Sequence, residues 1–277
     1  MYELTPQDLT IYLEYLAEFY APATVPVYFS HARTYMELCS HPVHMFDHRL
    51  VTKALTSIAN NKAHRDIGTI PLSIYQFNLV LSCIPQSPNL VTYLCAFTLL
   101  LVCAWRRSNI APDTMAGYDQ HRHLSRGDFT ITNSALHIHQ KWAKNMQRAG
   151  HTHDIIINSD PNNRYCVVAL LAAMLNQVPT TSYQEPLLVF PDTRKVITTS
   201  HLGRVWGKAV AKAGLPPKLH TLHCIRKTAA TLAADLGASE RQLMELGLWR
   251  SSSYQKYVRT RRSTPLQTAI ASHVTKI

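Results

Sequence analysis

The sequence predicts a mainly α-helical protein with one small antiparallel β-sheet, laid out as a small all-helical domain followed by a larger, mostly helical one. Three observations carry that prediction. Apolar residues recur at helical spacing behind recognisable caps through most of the chain. Residues 127–158 instead alternate or run β-branched around a tight turn. The stretch "DIGTIPLS" (66–73) has a Gly, a Pro and no helical period, so it reads as a linker dividing residues 1–67 from 68–277.

The elements follow in order. In "LTPQDLTIYLEYLAEFY", Thr5 is the expected N-cap, Pro6 opens the helix, and Asp8 closes a capping box. Leu9, Tyr12, Leu13, Leu16 and Phe19 then share one face. Further helices are expected over 24–39 and 48–65, each amphipathic and basic on its polar side. Beyond the linker, "PLSIYQFNLVLSCI" and "PNLVTYLCAFTLLLVCAWRRSNI" read as helices. Two or three antiparallel strands are expected within 127–158, turning at "NSA". Helices return at 161–177, 199–213, 223–236, 239–247, 251–260 and 265–275. The last carries an apolar stripe of Leu266, Ala269, Ile270, His273, Val274 and Ile277, which must be buried against its own domain or a partner.

Composition narrows the function. Lys and Arg number 28 against 17 Asp and Glu, a net charge of +11 that points to a polyanionic partner, nucleic acid above all. No basic amphipathic helix of the membrane-surface kind is present. The most apolar run, "YLCAFTLLLVCAW" (93–105), falls short of the roughly 18 residues a membrane span needs and reads as a core helix. No signal peptide opens the chain. Six cysteines show no CxxC pair, which suits buried free thiols in a reducing, intracellular compartment. "HIH" (137–139) and "HTH" (151–153) are expected to face each other across the hairpin, yet no Cys or carboxylate joins them at zinc-site spacing, so no metal is expected. The basic loop "HRHLSR" (121–126) is a candidate for phosphate contact.

Four separated stretches line up with one chemistry. "AWRRSNI" sets two arginines where a core helix ends, and "HIHQKWAKNMQ" sets Lys141 and Lys144 at the end of a strand. "HCIRKTAATLA" sets His223 and Arg226 on one side of a helix start, and "GLWRSSSYQKYVR" supplies Trp249, Tyr254 and Tyr257. Two arginines can hold the non-bridging oxygens of a phosphodiester with forked donors, and preorganised donors of that kind contribute roughly 3–4 kcal/mol each. A tyrosine hydroxyl can attack the phosphorus if a base or a positive field helps to remove its proton.

These residues, in this order, resemble the tyrosine recombinase (phage integrase-like) family over nearly the whole chain. "RRSNI" matches its first-arginine pattern with Arg106 rather than Arg107 in that role, and "WAKN" matches its hairpin lysine at Lys144. "HCIRKTAATLA" matches its H-x-x-R with His223 and Arg226. Trp249 falls at the later His/Trp position, and the nucleophile's spacing from it selects Tyr257 and leaves Tyr254 to packing. "RRSNI" and "GLWRSSSYQKYVR" resemble recombinases of eukaryotic mobile elements, crypton-like or DIRS-type, more than bacterial resolvases. The resemblance implies a helical core-binding domain followed by an integrase-like catalytic domain, clamping double-stranded DNA. It also implies a 3′-phosphotyrosyl intermediate, with His223 transferring a proton, Lys144 as general acid and Trp249 as an N–H donor to phosphate. No metal or nucleotide cofactor is required. Self-association into a dimer or tetramer through the C-terminal helix is implied too, as is a nuclear location for a eukaryotic element. Asn109 departs from the family's frequent Glu or Asp, which implies altered tuning and keeps open a DNA-binding derivative without catalysis. Strand relaxation of the type IB topoisomerase kind is a further alternative.

Overall fold

The structure, a computed structural model, describes residues 4–60, 69–132, 134–142, 152–249, 254, 255, 257 and 258. The chain divides into two units, Met1–Gly68 and Thr69–Ile277.

The first unit holds α1 (Pro6–Phe19), α2 (Val25–Leu38) and α3 (Arg49–Ala59), with a short 3₁₀ turn at His44–Asp47. The capping box forms as the residues dictate: Asp8 N–H donates to Thr5 Oγ1 at 3.2 Å, and Thr5 N–H donates to Asp8 Oδ2 at 2.9 Å. Leu9, Leu13 and Leu16 are buried with Val25, Phe29, Phe46 and Val51. Phe19 is not part of this core. It lies at the last turn of α1, 65% exposed, against the ring of Tyr15 at 4.9 Å. Helix α3 ends at Ala59 with Asn60 as its C-cap, and the rest of the helix expected to residue 65 lies outside the described residues.

The second unit opens on residues 69–73, which are bound rather than loose. Ile70 N–H donates to Leu219 O at 2.7 Å, Leu72 N–H to Thr228 Oγ1 at 2.9 Å, and Lys227 Nζ to Thr69 O at 2.7 Å. Ser73 then caps α4 (Ile74–Ser82) in a capping box with Gln76. Helix α5 (Leu90–Val102) is apolar all round, as a helix surrounded by protein must be, and is buried from Thr92 to Leu101 except at Leu94. It packs against α7 (Val167–Gln177) and α9 (Cys224–Asp235), while Trp206 of α8 (Thr199–Lys212) fills the space between Phe77 and Phe97. Each such side chain contributes roughly 1.5–3 kcal/mol by leaving water. One more helix, α10 (Glu240–Leu246), starts from a Ser239 cap.

The sheet has three antiparallel strands in the order β1 (Phe129–Ile131), β2 (Ala135–Gln140) and β3 (His153–Asn158). Its register separates the histidines expected to face each other. His139 lies opposite Asp154, with Nδ1 2.7 Å from Oδ1, and His153 lies opposite Gln140, so it projects from the other face than His139. His151 lies outside the described residues, and among those described no group of three or more His, Cys, Asp or Glu could hold a metal.

Two expected helices are shorter than their apolar period suggested. The run 88–110 breaks after Val102: Ala104 takes a left-handed φ of 45°, and a single turn, α6 (Arg107–Ile110), follows. The run 161–177 begins only at Val167, because Asp160 and Asn163 cap local turns, accepting from Asn162 N–H and Tyr165 N–H. Cys95, Cys103, Cys166 and Cys224 are buried, Cys83 is half-buried and Cys39 is exposed; none is in a disulfide. Among the described residues no helix is long and apolar enough to cross a membrane.

Candidate active site

Helix α9 begins in the middle of the second unit, and its first turn carries two of the singled-out residues. His223 stands at the N-cap, and Arg226, one turn on, points inward and is 3% exposed. A buried guanidinium needs acceptors, and Arg226 finds two backbone carbonyls: Nη1 donates to Ala104 O and Nη2 to Gly247 O at 2.6 Å. Ala104 lies two residues before Arg106, and Gly247 lies two before Trp249. Arg226 therefore ties both candidate segments to α9.

The second segment follows α10. Gly247 has an ordinary φ, but a Cβ there would run into the six-membered ring of Trp249, so only glycine lets the indole lie across the backbone. Leu248 between them takes φ 51°. Trp249 is 4% exposed, with the Arg226 guanidinium 4.5 Å from its ring centroid. The Tyr257 ring lies 5.0 Å from Trp249, 5.5 Å edge-on from His223, and 5.4 Å from the Arg226 guanidinium carbon. Its backbone is held by Thr231 Oγ1, which donates to Tyr257 O at 3.3 Å. Tyr254 is 8% exposed in an apolar cluster with Ala230, Leu243 and Trp249, against which Tyr257 also packs. The helix expected over 251–260 is described only at 254, 255, 257 and 258, where Tyr257 N–H and Val258 N–H both donate to Tyr254 O.

The first segment places Arg106 at the N-cap of α6, half-buried, with Arg107 turned to solvent. Asn109, 5% exposed, accepts from Arg106 N–H at 3.1 Å and donates to Trp142 O at 3.3 Å. Lys144 lies outside the described residues. Lys141 is engaged by Asp128 and Ser125, its Nζ lying 2.7 Å from Asp128 Oδ2 and donating to Ser125 Oγ at 2.8 Å. The loop at 121–126 divides: Arg122 stacks on Trp142 at 5.1 Å, while Arg126 is buried and donates to Val178 O.

Electrostatics sharpen the picture. Desolvation and then the charges of Arg226, Lys227, Arg106 and Arg107 push His223 down to about 4, although the residue is exposed to solvent. It is neutral at physiological pH and able to accept a proton. Burial and Arg106 push Arg226 down to about 10, and the nearby Tyr257 phenol works against them. Among the described residues Trp249 Nε1 and Arg226 Nε have no hydrogen-bond partner within ordinary limits, although the Tyr257 phenol lies close enough to bear on Arg226. A buried donor left without a partner costs about 1–3 kcal/mol.

Of the six residues singled out from the sequence, the structure gathers His223, Arg226, Trp249 and Tyr257, with Arg106 close enough for its charge to bear on His223 and Arg226. Sequence reasoning missed Gly247, whose signal was its place two before a tryptophan. It also missed the carbonyl of Ala104, for which no local signal exists.

No protein-family model matches the sequence, and no curated protein is significantly similar to it. Solved structures do match. The site-specific recombinase XerH, in a post-cleavage complex with a palindromic difH substrate, gives a TM-score of 0.61 at 13% identity, over 99% of this chain and 73% of that one. The Tn1549 transposon integrase bound to transposon right-end DNA gives 0.66 at 15% identity, over 98% and 86%. A lambda integrase tetramer bound to a Holliday junction gives 0.57 at 14% identity, over 91% and 66%. The fold is that of the tyrosine recombinases, and at these identities it is the architecture that is shared.

Proposed function

We propose that this chain is a site-specific DNA recombinase that cuts and rejoins strands through Tyr257. The observation that carries the reading is the gathering of Tyr257 with His223, Arg226 and Trp249, the tyrosine ring lying 5.5 Å from the imidazole, 5.4 Å from the guanidinium carbon and 5.0 Å from the indole. A scissile phosphate would accept from Arg226 and Trp249 Nε1, and Arg106 adds a second cation whose charge bears on His223 and Arg226.

The chemistry balances without an outside reagent. Tyr257 Oη attacks the phosphorus as its proton passes to His223, and the P–O5′ bond breaks. The departing 5′ oxygen takes a proton, a role that falls to Lys144. The arginines and the Trp249 N–H hold the charge of the five-coordinate transition state. The 3′-phosphotyrosyl ester keeps the energy of the broken link, so attack by a 5′ hydroxyl reseals DNA by the reverse path. Neither metal nor nucleotide is needed.

Duplex DNA is the proposed partner, gripped by a chain of net charge +11. Assembly into a dimer or tetramer fits strand exchange, since a lambda integrase tetramer on a Holliday junction shares this fold. The tail 264–277, the proposed link between protomers, lies outside the described residues. Action on DNA places the protein inside the cell, in the nucleus if its element is eukaryotic. Integration or transposition of a mobile element is the proposed setting, in line with the fold shared with the Tn1549 transposon integrase.

The test uses nicked suicide duplexes drawn from a randomised pool, with protein–DNA adducts separated under denaturing conditions. Wild type and Tyr254→Phe should form adducts; Tyr257→Phe should bind DNA with nearly unchanged affinity and form none. Adducts that persist in Tyr257→Phe and vanish in Tyr254→Phe would move the nucleophile. DNA binding without any adduct would leave a binding protein that has lost catalysis, and relaxation of supercoils by a monomer without strand exchange would favour topoisomerase action.

A further inference from the structure

Asn109 accepts and donates at once, which a carboxylate does not do. Its Oδ1 accepts from the Arg106 backbone N–H at 3.1 Å, and its Nδ2 donates to the Trp142 carbonyl at 3.3 Å. The same carbonyl receives a second N–H from Gln140 Nε2 at 3.2 Å, and Gln140 Oε1 accepts from Trp105 Nε1 at 3.0 Å. Asn109 is 5% exposed and Gln140 1%, so bulk water cannot replace these bonds. The result is a closed loop of neutral groups. On one side is the turn Trp105–Arg106–Asn109, and on the other is the end of β2 from Gln140 to Trp142. The ring of Trp142 is held as well, stacked under Arg122 in a pocket shared with Arg106 and Ser108.

We infer that Asn109 and Gln140 are positioning residues for Arg106, forming a bridge of amides that seats the Arg106 turn on the end of β2. Half of a carboxamide would not serve. A carboxylate at 109 keeps the acceptor for Arg106 N–H but turns lone pairs toward the Trp142 carbonyl, where a donor is required. A carboxylate at 140 fails in the same way. The Asn at the position where the resembling family often carries an acid is thus matched to a buried carbonyl in this chain. The catalytic consequence rests on the recombinase reading; the bridge itself does not.

Two measurements on the full chain separate the two. The first is hydrogen exchange over residues 104–110 without DNA. Asn109→Ala removes the acceptor of the Arg106 amide, and exchange there should speed by about tenfold or more while the protein stays folded. Unchanged protection would overturn the bridge whatever the protein's activity. The second is single-turnover adduct formation on paired suicide duplexes, identical except that the scissile phosphate is ordinary or a methylphosphonate. The methylphosphonate is uncharged and asks less of Arg106. Asn109→Asp and Gln140→Glu should slow attack on the phosphodiester by about tenfold or more, the size of a lost bond to a charged group, and change DNA affinity less than about twofold. On the methylphosphonate the deficit should shrink to about threefold or less, as it should for Arg106→Ala. Should Asn109→Asp fail to fold, Asn109→Ser, smaller and neutral, carries the same comparison. Equal deficits on both duplexes would refute action through Arg106. A wild type that forms no adduct on either would sink the recombinase reading and with it the catalytic half of this inference.

Discussion

Replacing Gly247 by alanine puts a methyl group where the Trp249 indole now lies. The three heavy atoms nearest to the added carbon all belong to the six-membered ring of that tryptophan, so something must move. The backbone is not the obstacle, because φ at Gly247 is −99°, which alanine adopts freely. Nor can the indole swing outward cheaply: it is 4% exposed, stacked on Arg226 and packed against Tyr257. Overpacking of this kind costs about 1–3 kcal/mol, and the stiffer unfolded chain returns about 0.4–1 kcal/mol, leaving a net loss of about 1–2 kcal/mol. In a unit of this size that is a fall in Tm of about 2–8 °C. The larger effect should fall on chemistry. Tilting the indole displaces Trp249 Nε1 from the place where a phosphate oxygen would sit, and a donor to a charged group contributes about 1.5–3 kcal/mol, or about 10- to 100-fold in rate. Thermal melting and single-turnover adduct formation should be measured on the same preparation. A variant that melts as high as wild type and forms adduct as fast would show that Trp249 moves without consequence, and the reasoning about this glycine would be wrong.

Other expectations follow from the same geometry. Arg226→Lys should lose one of the two carbonyls it now holds, since an ammonium cannot fork, and should lower both Tm and adduct yield; rescue of both by lysine would mean that charge alone matters. His223 sits at about 4 against about 6.5 in an unfolded chain, so the unfolded chain binds the extra proton between those values. Stability should therefore fall as pH drops from about 6.5 to about 4, and the acid limb of kcat/KM should lie near the folded value; a limb centred on about 6.5 would contradict the assigned environment. Adduct formation should survive thorough chelation of divalent metals, and loss in EDTA that zinc or magnesium restores would point to a metal bound outside the described residues.

The helix starts were legible because their chemistry is local. Thr5 with Asp8, Ser73 with Gln76 and Ser239 with Gln242 each satisfy backbone donors within one turn, and a sequence displays such pairs directly. The small sheet was legible from its β-branched alternation. The break after Val102 was not, since Cys103, Ala104 and Trp105 carry no Gly or Pro to announce it; Ala104 takes a left-handed φ, and Arg226, 122 residues away, holds its carbonyl. Phe19 misled for a simpler reason, as helical phase gives a face without saying how far along the helix that face is covered. In the site, His223 and Arg226 were placed together by their spacing on one helix. The links from Asn109 and Gln140 to Trp142 join residues from separate elements and leave no pattern in the chain.

Ala104 and Leu248 both hold left-handed backbone angles with a side chain attached, and each flanks or carries a carbonyl that Arg226 grips. Glycine would relax either position by about 1 kcal/mol or more. It would also let the chain wander over a far wider range of angles. The side chains therefore act as stops, narrowing the directions in which Arg106 and Trp249 can leave their common centre. Glycine's relief of strain is largely offset by the freedom it adds to the unfolded chain, so what these two side chains supply is definition of direction rather than heat stability.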